Sequence, residues 1–451
     1  MNEDKAPQLV RGLSLIDGFS LVAGTIIGTG VFIKTASMTQ MIASPAYVLL
    51  VWVVAGLLSL TGALVYAEIG TIYPHAGGEY VYLREGFGTF SAYLYGWTRF
   101  LIASPATIAA YAVGASTFMS GAVSLDQFGG VPGVAIAFIV IFTTINCFAI
   151  SVGGKVQTWI TFFKLAVILG MAIVFLLSSK GSYAHFTDHL KGSGGWQGWT
   201  AFGGAMLAAL WAYDGWNNMP MVAGEMKDPR KNIPLSLILG MGAVLLVYVL
   251  INFSYFYLLP NSEIAQSFSD AYPNALPVAT KATQLVLGGF GASALSILFV
   301  ISALGAMNGS IMSGARVPFA MAEDGIFIQA LGKIHSSTKV PVISVVVQSV
   351  VSCIFAASGK FDQLTNYVVF SSWIFYALVT VSIFKIRKKY PHHQGYHVWG
   401  YPWLPMIFVV VALFLLINTV YTSPRDSLIG LGVILAGIPF YYVFHRCHQK
   451  A

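Results

Sequence analysis

Charge is what this sequence has least of. Only 9% of its 451 residues are charged, where a soluble domain carries about 25%. A soluble fold of this size could not cover its surface with so few charges, so a soluble globular protein is excluded. Cysteine is equally scarce. Cys147, Cys353 and Cys447 are scattered, without metal-ligand or redox spacing and without a disulfide framework. The nine histidines fall in links between apolar runs or in the C-terminal tail, so no intramembrane histidine is available as a proton relay. There is no HExxH, no Cys/His ligand cluster and no paired acids at one face, which argues against an enzyme. No ring-forming charged repeat or carbonyl-filter motif argues for a channel. The first apolar run has no small-residue cleavage site and is expected to be a first helix, not a removed signal peptide. No cofactor and no metal site are expected.

What is present is apolar. Hydrophobic residues make up 57% of the chain and the mean hydropathy is +0.74. A helix needs about 20 apolar residues to cross the hydrocarbon core, and many such runs occur. The expected fold is all-α and integral to a membrane, one transmembrane domain of twelve helices. The spans are placed at 15–43, 46–71, 89–121, 133–151, 158–179, 200–225, 234–259, 286–315, 340–358, 363–385, 403–421 and 427–445. The net charge of +7 comes from basic residues in short links and forms no patch, so no nucleic-acid partner is expected. Lys and Arg set orientation. Sixteen of the 24 fall on the side of the N-terminus, including Lys5, Lys385, Arg387, Lys388, Lys389 and Lys450. Six fall on the other side: Lys34, Lys180, Lys191, Lys281, Lys360 and Arg425. Arg99 and Lys164 lie inside spans. Both termini are therefore expected in the cytoplasm, with the chain in the cell membrane.

Two spans are broken. The first contains Gly24-Thr25-Ile26-Ile27-Gly28-Thr29-Gly30, and the sixth contains Trp211-Ala212-Tyr213-Asp214-Gly215-Trp216-Asn217-Asn218 and then Pro220. Such stretches are tolerated at membrane depth only where backbone lines a cavity or is buried in protein. The breaks sit five spans apart, and an odd offset inverts the topology. Interrupted helices at matching places of two halves point to a transporter site on an inverted repeat. Repeats over about 15–179 and 200–385 are expected, with helices over about 403–445 appended.

The breaks carry the chemistry. The N–H groups of Thr29, Gly30 and Val31 form an anion site at a helix start. The freed carbonyls of Thr25 and Ile26 accept from an ammonium, so one gap reads both ends of a zwitterion. The bland alternative is a small-residue packing face. Asp214 is the one carboxylate placed near the bilayer centre; it would attract an ammonium, bind a proton, or cap the outer half-helix. Lys164 lies about six residues into span five, roughly 9 Å deep. It either snorkels or bonds to the broken first helix where a coupling cation could sit. Arg99 leans toward a structural or snorkelling role. Tyr213, Trp211, Trp216 and Trp373 could close over a substrate, and only Trp211 lies at the break as a gate candidate. Ser14 to Asp17 reads as a capping box.

Further stretches are Tyr66-Ala67-Glu68-Ile69-Gly70, Gly77-Gly78-Glu79-Tyr80, the run from Gly224 to Pro234, and Asn308-Gly309-Ser310 with Arg316. Together with the two breaks, in this order and spacing, they resemble the amino acid–polyamine–organocation (APC) superfamily and, within it, the L-type amino acid transporters. The likeness runs from about Leu13 to about Phe444. Bacterial serine/threonine-exchanging members look similar, including an aspartate in the sixth-span motif. The resemblance implies a sodium-independent exchanger with the inverted-repeat fold of the sodium-coupled leucine transporter. It implies that Thr29 and Gly30 bind the substrate carboxylate through backbone N–H, and that Ile26, Trp211 and Asp214 bind its ammonium through backbone C=O. Trp211 stands at the gate position, usually Phe, and Lys164 matches the family's span-five lysine. Ser372 aligns near the side-chain pocket. Eukaryotic members are disulfide-linked to a glycoprotein through a cysteine in the link between spans three and four. Here that link, Ala122 to Val131, has none, so no disulfide-linked ancillary subunit is expected. The expected substrates are neutral L-amino acids, small ones favoured, taken by exchange; proton-coupled symport is the alternative, and a carrier of cationic amino acids or amines comes third.

Overall fold

The computed structural model describes residues 9–120, 123–148, 150–188, 198–269, 271–272, 275–358, 361–422 and 424–449. Lys5, Lys191, Lys360, Lys450 and His189, used above for orientation or for the histidine argument, lie outside them. Among the described residues the chain is helical, and its only β-type pairings are two isolated bridges, Leu13 with Met226 and Ser269 with Tyr272. Among the described residues ten helices are long and apolar enough to cross a membrane, and Trp199–Ala212 and Val342–Ala357 are shorter apolar helices. This is a multi-pass membrane protein.

Local signals set the helix ends. Ser14 caps Leu15–Ile26 by accepting from the Asp17 N–H, and the Asp17 carboxylate accepts from the Ser14 N–H at 2.8 Å, which closes the capping box. Pro45 and Pro229 stand in the first turns of Pro45–Ile72 and Pro229–Leu258, where a missing N–H costs nothing. The fifth span differs from expectation. Its helix runs Ile150–Leu176 and begins eight residues before 158, because the polar start packs inward: the Gln157 side chain donates to Ser20 O and Thr158 to Asp17. The eighth span belongs to Val278–Gly314, with a kink at Gly288. His445 and His448, assigned to a tail, fall in the helix Pro424–Gln449.

Burial separates centre from rim. The windows of the first and third spans are 83% buried, whereas those in Gly130–Cys147, Trp403–Thr422 and Ser427–Phe444 are only 22%, 28% and 28% buried. The rim faces outward with residues such as Trp159, Leu177 and Ile417, as lipid-facing side chains do. At the core, Pro45–Ile72 packs on Pro229–Leu258, Ser104–Ser120 on Val278–Gly314 and Gly30–Ile42 on Trp199–Ala212, and nearer the rim Gly130–Cys147 packs on Val342–Ser358.

Ion pairs close one end of the bundle. Arg316 donates through Nε and Nη2 to Glu225 at 2.8 and 3.1 Å, with both side chains buried. Arg387 donates to both oxygens of Glu68 at 2.6 and 2.7 Å. His393 Nε2 lies 3.2 Å from Glu68, and the Val398 N–H donates to the same carboxylate. Glu68, His393 and His397 are close enough to suggest a metal. The Glu68 oxygens are already engaged by the arginine and the amide, and the two imidazoles stack at 4.1 Å, so they are read as a packed electrostatic latch.

Candidate functional site

The two breaks meet. The first helix stops at Ile26 and restarts at Gly30. The sixth stops at Ala212 and resumes as a short turn at Asn218–Met221. Thr25 Oγ1 donates to Gly215 O at 2.9 Å, directly joining them. Gly215 has φ +122°, and a Cβ there would stand 3.0 Å from the Thr25 backbone. A Cβ on Gly30 would stand 2.7 and 2.8 Å from Ala212 Cβ and Cα. Glycine is needed at both places because backbone approaches backbone.

Donors and acceptors are ordered around that crossing. The second half of the first span starts at Gly30, so its first-turn N–H groups have no partner within the helix. The Thr29 hydroxyl is buried and unpaired. The Ile26 carbonyl accepts from the Gly28 N–H at 2.7 Å and from the Tyr248 hydroxyl at 3.0 Å. That hydroxyl also lies 3.1 Å from Ala212 O, bridging the breaks. Tyr111 donates to Thr25 O at 3.2 Å, and Trp211 O accepts from the Asp214 N–H at 3.1 Å. Trp211 is buried, with its ring centroid 6.3 Å from that of Tyr111.

Asp214 is not a cap of the half-helix it follows. It comes after the C-terminal end of Trp199–Ala212, where the freed groups are carbonyls, not N–H groups. Its Oδ1 accepts from Tyr376 at 2.7 Å. The other ring candidates pack into the core. Tyr213 lies against Trp52 and Tyr248, Trp216 against Tyr66 and Tyr376, and Trp373 against Phe408.

Lys164 does not snorkel. It is the fifteenth residue of Ile150–Leu176, not the sixth, and is fully buried. Its ammonium donates to Gly24 O at 2.6 Å, Ile27 O at 2.5 Å and Ser302 O at 3.3 Å. Two of these carbonyls, Gly24 and Ile27, belong to the first break. Ser302 Oγ lies 3.0 Å from Ile27 O and 3.1 Å from Gly28 O, tying the same break to the helix Val278–Gly314.

Arg99 is also buried, which removes snorkelling for it too. It, Ser372, Tyr95, Phe375 and Tyr376 line a cavity of about 10 Å³. Ser372 Oγ is buried and unpaired.

Sequence reasoning missed Tyr248, Ser302 and Glu79 as contributors. Glu79 folds inward from a link and accepts from Tyr66 at 3.0 Å, from Asn217 at 3.2 Å, and from Tyr95. The turn Gly77-Gly78, with φ +104° and +49°, was the available signal for Glu79. A tyrosine amid an apolar span, whose hydroxyl must find an acceptor, was the signal for Tyr248.

Comparison with known proteins shows the family. The family described as amino acid permease matches residues 13–444. The chain is 33% identical over 441 residues to a serine/threonine exchanger of Bacillus subtilis (strain 168), covering 96% of this chain and 97% of that protein. It is 30% identical over 454 residues to the b(0,+)-type amino acid transporter 1 of Rattus norvegicus, covering 98% and 89%. It is 31% identical over 447 residues to the cystine/glutamate transporter of Homo sapiens, covering 97% and 86%.

Proposed function

The chain belongs to the amino acid permease family, and from that membership and the meeting of its two breaks we propose that it exchanges neutral L-amino acids across the cell membrane by alternating access. The observation that carries this reading is the crossing itself, where Thr25 Oγ1 donates to Gly215 O. N–H donors at Thr29 and Gly30 face a carboxylate, and carbonyls at Ile26, Trp211 and Asp214 face an ammonium. An arriving ammonium takes the place of the Tyr248 hydroxyl at Ile26 O. Trp211 gates the gap, and a cavity of about 10 Å³ beside Ser372 favours small side chains.

Sodium independence rests on Lys164. A buried ammonium on three carbonyls occupies the place a coupling cation would need. Proton-coupled symport is the second reading, because this cation is fully buried and bonded to carbonyls, not to a carboxylate.

Twelve spans with a five-plus-five inverted repeat agree with the packing. Spans one and six, two and seven, three and eight, and four and nine each lie against their counterpart. Cytoplasmic termini follow from the Lys/Arg count, and a lone subunit from the cysteine-free link at 122–131.

Counterflow in proteoliposomes tests the reading. Free neutral amino acids should exchange, and their methyl esters and N-acetyl derivatives should neither exchange nor compete. Competition by either derivative equal to that of the free amino acid would place recognition elsewhere.

A further inference from the structure

The third span holds an arginine that the exchange reading leaves without a task. The helix Thr89–Thr98 passes into a π-helical turn at Arg99–Ala103 before the α-helix resumes at Ser104. A single π-turn re-aims side chains and recurs at functional sites. Arg99 is 5% exposed, so its guanidinium is out of water. A guanidinium has five N–H donors. Here Nη2 alone reaches a protein oxygen, Asn218 Oδ1 at 3.3 Å, with Met221 Sδ at 4.0 Å. Nε has no partner. The nearby carboxylates are engaged by others: Glu79 by Tyr66, Tyr95 and Asn217, and Asp214 by Tyr376.

A second unpaired group faces the same space. Ser372, 6% exposed, has an unpaired Oγ and lines with Arg99 the cavity of about 10 Å³ between spans three and ten. That is room for roughly one water-sized group. Tyr376, on the same wall, donates to Asp214 in the sixth-span break, so the cavity adjoins the gap that takes the zwitterion.

We propose that Arg99 is the specificity-determining residue of this carrier, donating to the side-chain hydroxyl of serine or threonine while that hydroxyl donates to Ser372 Oγ. The inference rests on the amino acid exchange reading and deepens it. Leaving a buried charged donor unpaired is costly, and a ligand that supplies the acceptor recovers that cost. A hydroxyl both accepts and donates, matching a guanidinium and a serine oxygen at once. An alkyl side chain supplies no acceptor. A carboxylate side chain would accept from Arg99 but would be brought toward Asp214 and Glu79, and it is larger than the cavity.

The test is counterflow in proteoliposomes with serine and alanine, which differ by one oxygen, for the wild type, Arg99→Lys and Ser372→Ala. Wild type should favour serine over alanine in kcat/KM by on the order of tenfold or more, since a site built to bond a hydroxyl rejects the analogue lacking it. Arg99→Lys keeps the charge but loses Nε and the planar fork, and should bring the ratio close to one. Ser372→Ala should lower the ratio in the same direction, and it decides alone if Arg99→Lys does not reach the membrane. A merely structural role for Arg99 would slow both substrates equally and leave the ratio intact, which overturns the proposal. Aspartate outcompeting serine would overturn it as well. Alanine exchanged as fast as serine by wild type sinks this inference but not the exchange reading; no exchange of either sinks both.

Discussion

Among the described residues, Lys164 and Arg99 are buried in the apolar spans without the carboxylate partner that Arg316 has in Glu225, and the fold treats the two in opposite ways. Lys164 places its ammonium on three carbonyls, two from the broken first helix and one from Ser302. Arg99, with more donors, reaches one oxygen at 3.3 Å and leaves Nε unpaired beside a cavity. Charge at membrane depth is expensive in both cases. The satisfied cation belongs to the framework: it holds the ends of a helix that must stay broken. The unsatisfied one costs the resting fold something and is positioned for a ligand. Buried charge alone therefore does not mark a ligand contact; what matters is how many donors remain unmatched.

The largest effect is expected where the framework itself is breached. At Gly30→Leu the new side chain meets Ala212, whose Cα lies 2.8 Å from the position of the first added carbon. Exchange should fall to background although the protein remains folded and in the membrane. Gly242→Leu is the matched control, because nothing lies within 4 Å of a Cβ there. Counterflow on both variants, with gel filtration to check folding, decides the point. A normal rate in Gly30→Leu would separate the breaks from the site.

A smaller but still large loss is expected from Lys164→Ala. Each hydrogen bond to a buried charged group is worth about 1.5–3 kcal/mol, and about 1.4 kcal/mol is tenfold. Exchange should drop by about tenfold or more, with the serine-to-alanine ratio unmoved, because the side-chain cavity is untouched. Under proton-coupled symport the same variant would instead keep exchange and lose uptake driven by a pH gradient. Wild-type exchange and wild-type coupling together would return Lys164 to a bystander. Arg99→Lys is the opposite case, moving the ratio more than the rate.

The sequence was legible where local rules suffice. Scarce charge and long apolar runs announced the membrane, and the Gly-rich stretches at Gly24–Gly30 and Trp211–Asn218 marked the breaks because such backbone is intolerable in a lipid-facing helix. The start of span five was not legible. Gly153, Gly154 and Gln157 read as a link, and the bond from Gln157 to Ser20 of the first helix comes only with the fold. That eight-residue error made Lys164 look shallow enough to snorkel. The capping alternative for Asp214 named the wrong helix end, since which end frees N–H groups depends on chain direction at the break. Glu79, Tyr248 and Ser302 act on partners far away in sequence, as Tyr248 does on Ile26. No spacing rule reaches that far.

The central claim is that a fixed ammonium at Lys164 serves where a coupling cation would otherwise sit between the broken first helix and Ser302. The most direct measurement is the initial rate of serine counterflow in wild-type proteoliposomes as sodium is replaced stepwise by choline. The account predicts the same rate at every sodium concentration. A rate that climbs with sodium and vanishes without it would contradict it.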